Sequence, residues 1–180
     1  MMTNDFRWAR YGVTLTPLRQ EEIEMVRGWR NDPKIASLML DQRHITAEMQ
    51  QAWFERLQAS RRDAYYLCWF KDKPIGVASL TCIDKDEGSC EPGMYIYADE
   101  YRSNLVPFCV AFALNDLAFE HFGLARLLGK IFDDNTASVR FHQASGYVRY
   151  ATGEQGIGLY QLEHDAYLTA RAQITRFIRY

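Results

Sequence analysis

Charge of one sign is what this sequence most plainly lacks. Its 21 lysines and arginines stand against 23 aspartates and glutamates, a formal net charge of −2 at pH 7. Nucleic-acid binders usually present a basic face, so no nucleic-acid partner is expected. Long apolar runs are missing too. None approaches the ~20 residues that span a bilayer, and Met1 to Arg10 contains no apolar stretch of the signal-peptide kind. A cytoplasmic protein with no membrane partner is expected. Cysteine occurs at only four positions, Cys68, Cys82, Cys90 and Cys109, without a Cys-x-x-Cys pair. Each lies in an apolar, strand-like or helix-like setting and reads as a small reduced core residue. With His44, His121, His142 and His164 they show no metal-ligand spacing, so no metal site is expected. Internal repeats, low-complexity tracts and linkers are absent, and 180 residues read as a single chain long enough to bury a core.

What remains is the composition of an ordinary globular protein, 48% hydrophobic and 24% charged. Val13 to Thr16 alternates as a strand does, and Pro17 closes it. Glu21 to Trp29 places Ile23, Val26 and Trp29 on one helical face. Asn31-Asp32-Pro33 stops it, because the residue before a proline resists the helical region. Lys34 to Arg43 reads as a loop or a short helix. Thr46 is placed to cap a helix carrying Met49, Trp53 and Leu57. Tyr65 to Phe70 and Ile75 to Thr81 read as a hairpin turning through Lys71 to Pro74. A charged turn leads to a further strand, Ser89 to Tyr97. A long apolar helix runs from Pro107 to Phe122, with Gly123 as its C-cap. A strand (Leu127 to Phe132), a short helix (Asn135 to Ala144) and two strands (Tyr147 to Tyr150, Gly158 to Glu163) follow.

Tyr167 to Tyr180 reads as a basic amphipathic helix, with Arg171, Arg176 and Arg179 opposite Leu168, Ile174, Phe177 and Ile178. Docking on the body or on a second subunit suits it better than a membrane surface, since no lysine cluster accompanies it. Mixed runs of this kind predict an α/β layer fold with antiparallel and parallel pairings in one sheet.

The stretch from Tyr95 to Phe122 is the centre of the pattern. A strand, a polar turn (Tyr101-Arg102-Ser103-Asn104) and a buried helix form the order that aims helix N-terminal N–H groups at an anion. The turn has no glycine.

Four segments, in their order along the chain, resemble the GCN5-related N-acetyltransferase (GNAT) family. The first is Leu18 to Glu22 leading to Trp29-Arg30-Asn31-Asp32-Pro33, and the second is Lys73-Pro74-Ile75-Gly76-Val77. The third is Cys90-Glu91-Pro92-Gly93-Met94-Tyr95-Ile96 running into Tyr101-Arg102. The fourth is Asn135 followed by Ser138, Phe141, His142 and Gly146-Tyr147. The Trp-Arg-Asn-Asp-Pro run is most similar to two subgroups, the sugar-nucleotide N-acetyltransferases of pseudaminic acid synthesis and the acetyltransferases of ribosomal-protein N-termini. The resemblance implies an α/β, GNAT-like single mixed sheet of about seven strands with helices on both faces. The acyltransferase domain would cover residues 1–165, with 166–180 as the added C-terminal helix.

In such enzymes the fourth and fifth strands splay, and acetyl-CoA lies in the gap. The resemblance thus implies that Met94, Tyr95 and Ile96 pair with the pantetheine arm, and that N–H groups near Tyr95 and Ile96 steady the acyl oxygen. It implies that the loop Arg102, Ser103, Asn104, Leu105 and Val106 holds the pyrophosphate, and that Asn135, Ser138 and Phe141 help hold the cofactor. The family writes that loop Gln/Arg-x-x-Gly-x-Gly/Ala. Arg102 matches, while Leu105 adds bulk where a phosphate approaches the backbone and Pro107 has no N–H. Glu91 stands where the family often places a carboxylate base. His142 stands where many members carry a tyrosine acting as general acid to the CoA sulfur. Arg30, Met39 and Arg43 would line the acceptor wall. The implied reaction is acetyl-CoA-dependent acetylation of a primary amine, on an amino-sugar nucleotide or a protein N-terminus, by a monomer or homodimer. The altered loop leaves a non-catalytic acyl-CoA-binding or interaction module as the alternative.

Overall fold

The chain lays down β1 (Trp8–Arg10), β2 (Val13–Pro17), α1 (Ile23–Asn31), α2 (Pro33–Ala36), α3 (Ala47–Ala59), β3 (Ala64–Phe70), β4 (Lys73–Asp84) and β5 (Ser89–Ile96). After these come α4 (Val106–Asp116), β6 (Arg126–Phe132), α5 (Thr136–Ala144), β7 (Val148–Thr152), β8 (Ile157–Glu163) and α6 (His164–Thr175). In a computed structural model, which describes residues 5–180, the strands form one sheet in the order β1-β2-β3-β4-β5-β6-β8-β7. The eighth strand is β1, one more than the pattern predicts. Three residues are too few to show an alternation. It forms because Tyr11 and Gly12 take positive φ (54° and 78°) and fold the chain back on β2. The β3–β4 hairpin turns through Lys71 and Asp72, also at positive φ (50° and 60°), as a two-residue turn of the twist-matched kind requires.

Helices cover both faces. On one, Ile23 and Val26 of α1 and Phe54 of α3 pack on Leu67 and Val77. Thr46 caps α3 as its sequence suggests, its hydroxyl accepting from the Met49 N–H at 3.2 Å. The other face carries the larger core, with Val110, Phe112 and Leu114 of α4 against Leu15, Tyr66, Leu80 and Leu127. From Cys109 to Asp116 every residue of α4 is buried, which is why its sequence is apolar all round. The helix pattern does not continue unchanged to Phe122. It widens to a π-turn over Leu117–His121, where the Phe122 N–H reaches the Leu117 carbonyl at 3.1 Å, and Gly123 ends it at φ 66°.

The C-terminal helix differs from its predicted form. It starts at His164 and ends at Thr175, and its arginines do not share one solvent face. Tyr167 and Ala170 are buried, while Leu168 and Phe177 are exposed. Arg171 turns inward to Asp116 at 2.7 Å, because a carboxylate with only 1% of its side chain exposed needs a counter-charge. Cys82 also departs from expectation. It is exposed, at positive φ (51°), where the β4–β5 register slips between Thr81 and Asp84. The other three cysteines are buried. Among the described residues no helix is long and apolar enough to cross a membrane.

One local feature positions the site. β5 and β6 run parallel but pair only at Ser89–Arg126 and Cys90–Leu127, after which no ladder joins them. Pro92 is the second residue past the last pair. A proline there costs no ladder bond, because its missing N–H would have had no strand to reach.

Candidate active site

The fork between β5 and β6 has a defined chemical polarity. The Tyr97 N–H donates to the Ile75 carbonyl of β4 at 2.7 Å, and Val77 faces Tyr95 in the register. Backbone direction alternates along a strand, so Tyr95 also turns its N–H toward β4. Met94 and Ile96 therefore point their N–H and C=O groups into the opening. This corrects one expectation, since Tyr95 offers no backbone donor to the gap. Its side chain lies instead on the α1 face, among Trp29 and Leu67, and its hydroxyl is buried without a hydrogen-bond partner.

Glu91 is the first residue past the last β5–β6 pair. Its carboxylate meets the Lys130 ammonium of β6 at 3.0 Å, across the base of the fork. That hydrogen bond raises the Lys130 pKa above the ordinary lysine value. Lys130 carried no signal in the sequence, because only the spatial adjacency of β5 and β6 gives it a partner.

The loop before α4 is more self-satisfied than its sequence suggests. The Asn104 side-chain oxygen accepts from the Val106 N–H at 2.9 Å, and the Val106 side chain is fully buried. Val106 therefore offers a ligand neither group, contrary to the expectation for it. Pro107 has no donor. The Arg102 N–H bonds the Asp99 carbonyl at 3.2 Å, and its guanidinium lies 3.5 Å from the Asp99 carboxylate. Arg102, the exposed Ser103 and the N–H groups of Asn104 and Leu105 remain as the donors nearest the helix start.

Across the fork, Asn135 caps α5. Its side-chain oxygen accepts from the Ser138 N–H at 3.1 Å, so both residues spend one polar group on the cap. Phe141 stacks on Phe108 at 4.4 Å and joins α5 to α4. His142 Nδ1 lies 2.8 Å from the Ser138 carbonyl. A carbonyl only accepts, so Nδ1 carries the hydrogen and Nε2 of the neutral ring has the free lone pair. Burial holds the His142 pKa below 6.5. Both effects favour a neutral acceptor and oppose the proton-donor role that the family position implies.

The acceptor wall is fastened to the end of β5. Trp29 stacks on Tyr97 at 5.0 Å, and the Tyr97 hydroxyl donates to Asp32 at 3.2 Å. Lys34 donates to the Tyr97 carbonyl at 2.8 Å and to Asp99 at 3.0 Å, with its ammonium 3.9 Å from the Tyr97 ring centre. Arg30 uses one guanidinium nitrogen on the Asp41 carbonyl and keeps the other buried and unpartnered. Arg43 is exposed and spent on Asp41 at 2.7 Å, and that contact lowers the Asp41 pKa to about 2. Met39 is half-buried in the same segment. Of the three expected contacts, Arg30 is the one with a buried donor left without a partner. Lys34 is a wall residue that the sequence hid, because Lys34 to Arg43 has no periodicity to place it.

The acetyltransferase (GNAT) domain family matches residues 13–148. An acetyltransferase named PseH, from Campylobacter jejuni, is 27% identical over 137 residues, covering 75% of this chain and 82% of its own length. A spermidine N-acetyltransferase from Vibrio cholerae, in complex with CoA and spermine, superposes with a TM-score of 0.80 at 15% identity over 87% of this chain and 98% of its own. FdhC, described as a nucleotide-linked sugar GNAT, gives a TM-score of 0.79 at 16% identity over 97% of this chain and 99% of its own.

Proposed function

This chain belongs to the acetyltransferase (GNAT) domain family, and from that premise we propose that it acetylates a primary amine on a nucleotide-linked amino sugar. Acetyl-CoA is the donor in this family. The observation that carries the reading is the fork, with free backbone groups of Met94 and Ile96 along one arm and a carboxylate at its base. Those backbone groups suit the amide-bearing arm of a CoA donor, and Arg102 and Ser103 suit its phosphates. Bound there, the donor supplies an activated acyl group.

The residues of this chain supply the rest. Glu91 takes the proton from the attacking amine, a role worth roughly a hundred- to ten-thousand-fold. The N–H groups of Met94 and Ile96 are fixed in direction before any ligand arrives, so they cost no reorganisation in stabilising the acyl oxygen. Charge separates a sugar nucleotide from a polyamine as acceptor. Asp41, Asp99 and Glu91 each have a cation at 2.7 to 3.0 Å, whereas Arg30 keeps a buried donor free. An acceptor carrying a diphosphate matches that balance, and a polycation does not. The likeness to PseH and to a nucleotide-linked sugar GNAT supports the same choice. A cytoplasmic setting is consistent with four free cysteines.

The test is CoA release from acetyl-CoA with three acceptors: a nucleotide diphosphate-linked 4-amino sugar, spermidine, and a peptide with a free N-terminus. Turnover is expected with the sugar and not with spermidine. Preference for the peptide would move the assignment to protein N-termini, and release with none would leave a binding module. Glu91→Gln is expected to lose at least a hundredfold in rate, most severely at low pH, where more of the amine is protonated. A pH profile unaltered by the change removes Glu91 from the mechanism.

A further inference from the structure

We infer that Lys130 is a positioning residue for Glu91, holding its carboxylate aimed across the base of the β5–β6 fork. This rests on the reading of Glu91 as the base. The two side chains come from strands that have just parted, Glu91 one position beyond Cys90 and Lys130 three beyond Leu127. Leu127 and Ile131 of β6 pack into the α4 core, so Lys130 points to the opposite face of the sheet. On β5, Cys90 and Met94 belong to that core and Tyr95 to the α1 face, which puts Glu91 on the same side as Lys130. Their ion pair at 3.0 Å is then a side-chain bridge over the opening on the face where the acceptor wall stands.

A carboxylate left alone at this place would be free to rotate off the amine. An ammonium at ion-pair distance counters that, since a charge-assisted hydrogen bond fixes the rotamer. Among the described residues Lys130 is the single cation within ion-pair distance of Glu91. The other titratable groups around the pair are Tyr150 of β7, the exposed Cys82 of β4, and Cys90 beside Glu91, whose thiol burial pushes up to about 12. None of these is a cation, so Lys130 alone among them can pair with the carboxylate. The pair is partly open to water, with 50% of the lysine and 27% of the glutamate side chain exposed. Its structural worth is therefore small, and an electrostatic role separates cleanly from a stabilising one.

The experiment compares Lys130→Met and Lys130→Arg with the native chain, using two readouts. Carbon-13 NMR of the Glu91 carboxyl at about pH 8, assigned by its loss in Glu91→Gln, reports the contact without any acceptor. Steady-state kinetics with the nucleotide-linked 4-amino sugar separates kcat from KM. Lys130→Met is expected to move the carboxyl signal and to lower kcat roughly two- to fivefold with KM little changed, and Lys130→Arg to restore both. In a Glu91→Gln background the lysine change should have no further effect. An unmoved carboxyl signal, or a kcat loss that arginine does not recover, overturns the inference. If no acceptor turns over, the functional reading fails while the carboxyl signal still decides whether Lys130 holds Glu91.

Discussion

Asp116→Asn is the perturbation whose cost can be worked most directly from contacts. The Asp116 side chain is 1% exposed and accepts from the Tyr11 hydroxyl at 2.5 Å, the Tyr167 hydroxyl at 2.5 Å and the Arg171 guanidinium at 2.7 Å. The hydroxyls lose acidity in this geometry, since burial first and the carboxylate second raise the pKa values of Tyr11 and Tyr167 well above the ordinary tyrosine value. Three elements meet here: the β1–β2 turn, the end of α4, and α6. Asparagine keeps the shape but removes the charge. Arg171 then keeps the neutral Tyr11 hydroxyl at 3.2 Å, and its remaining charged partner is Glu120 at 3.9 Å, itself nearly half exposed. Breaking one partner out of a buried pair costs about 3–5 kcal/mol. With 27% of the Arg171 side chain still in water, the lower figure, about 3 kcal/mol, applies. For a chain of this size that is a fall in Tm of about 6–12 °C. Thermal unfolding followed by circular dichroism, with a urea midpoint as a second measure, reads it. Adding Arg171→Met should recover part of the loss, because it removes the stranded charge. A single variant melting within about 2 °C of the native chain, or a double variant losing the sum of two independent costs, refutes the reasoning.

Two further outcomes concern the site. Pro107→Ala adds an N–H at the start of α4 at little cost to the helix, where that donor has no intrahelical partner. One more hydrogen bond to a phosphate, about 1.4 kcal/mol, should tighten acetyl-CoA binding roughly tenfold by calorimetry. An unchanged Kd places the pyrophosphate away from this loop. His142 supplies a pH signature of stability. Its folded pKa lies below the ordinary 6.5 because burial disfavours the cation, so its contribution is whole above that value and is lost as the pH falls through the lowered folded pKa. Tm should therefore drop on acidification below 6.5, and His142→Gln should flatten the drop. An identical pH dependence in both proteins refutes it.

The strand, turn and helix order was legible because each element obeys a local period. Thr46, Gly123 and the Lys71–Asp72 turn act within a few residues of themselves, where sequence is a sufficient guide. Pro92 was legible in principle, since a proline inside an apparent strand marks a place where no ladder bond is wanted. Other features were out of reach of the sequence for the same reason. Whether Tyr95 turns its N–H to β4 or to the gap depends on the pairing register. Whether Arg171 faces water depends on a buried carboxylate 55 positions away. The loop from Arg102 to Val106 shows both sides. The missing glycines predict a poor anion cradle, but only the fold reveals that Asn104 already occupies the Val106 donor.

The amino-acid sequence by itself determined the family, the α/β class and the placement of Glu91 and Pro92 on the central strand, because those rest on spacing along one chain. Tertiary structure alone decided the pairings across the fork and beneath it: Lys130 with Glu91, Lys34 with the end of β5, and Asp116 with its three donors. An ion pair between strands that part, or a buried charge shared by three elements, has no period. It exists only once packing has brought the groups within a few ångströms and excluded enough water for their charges to matter.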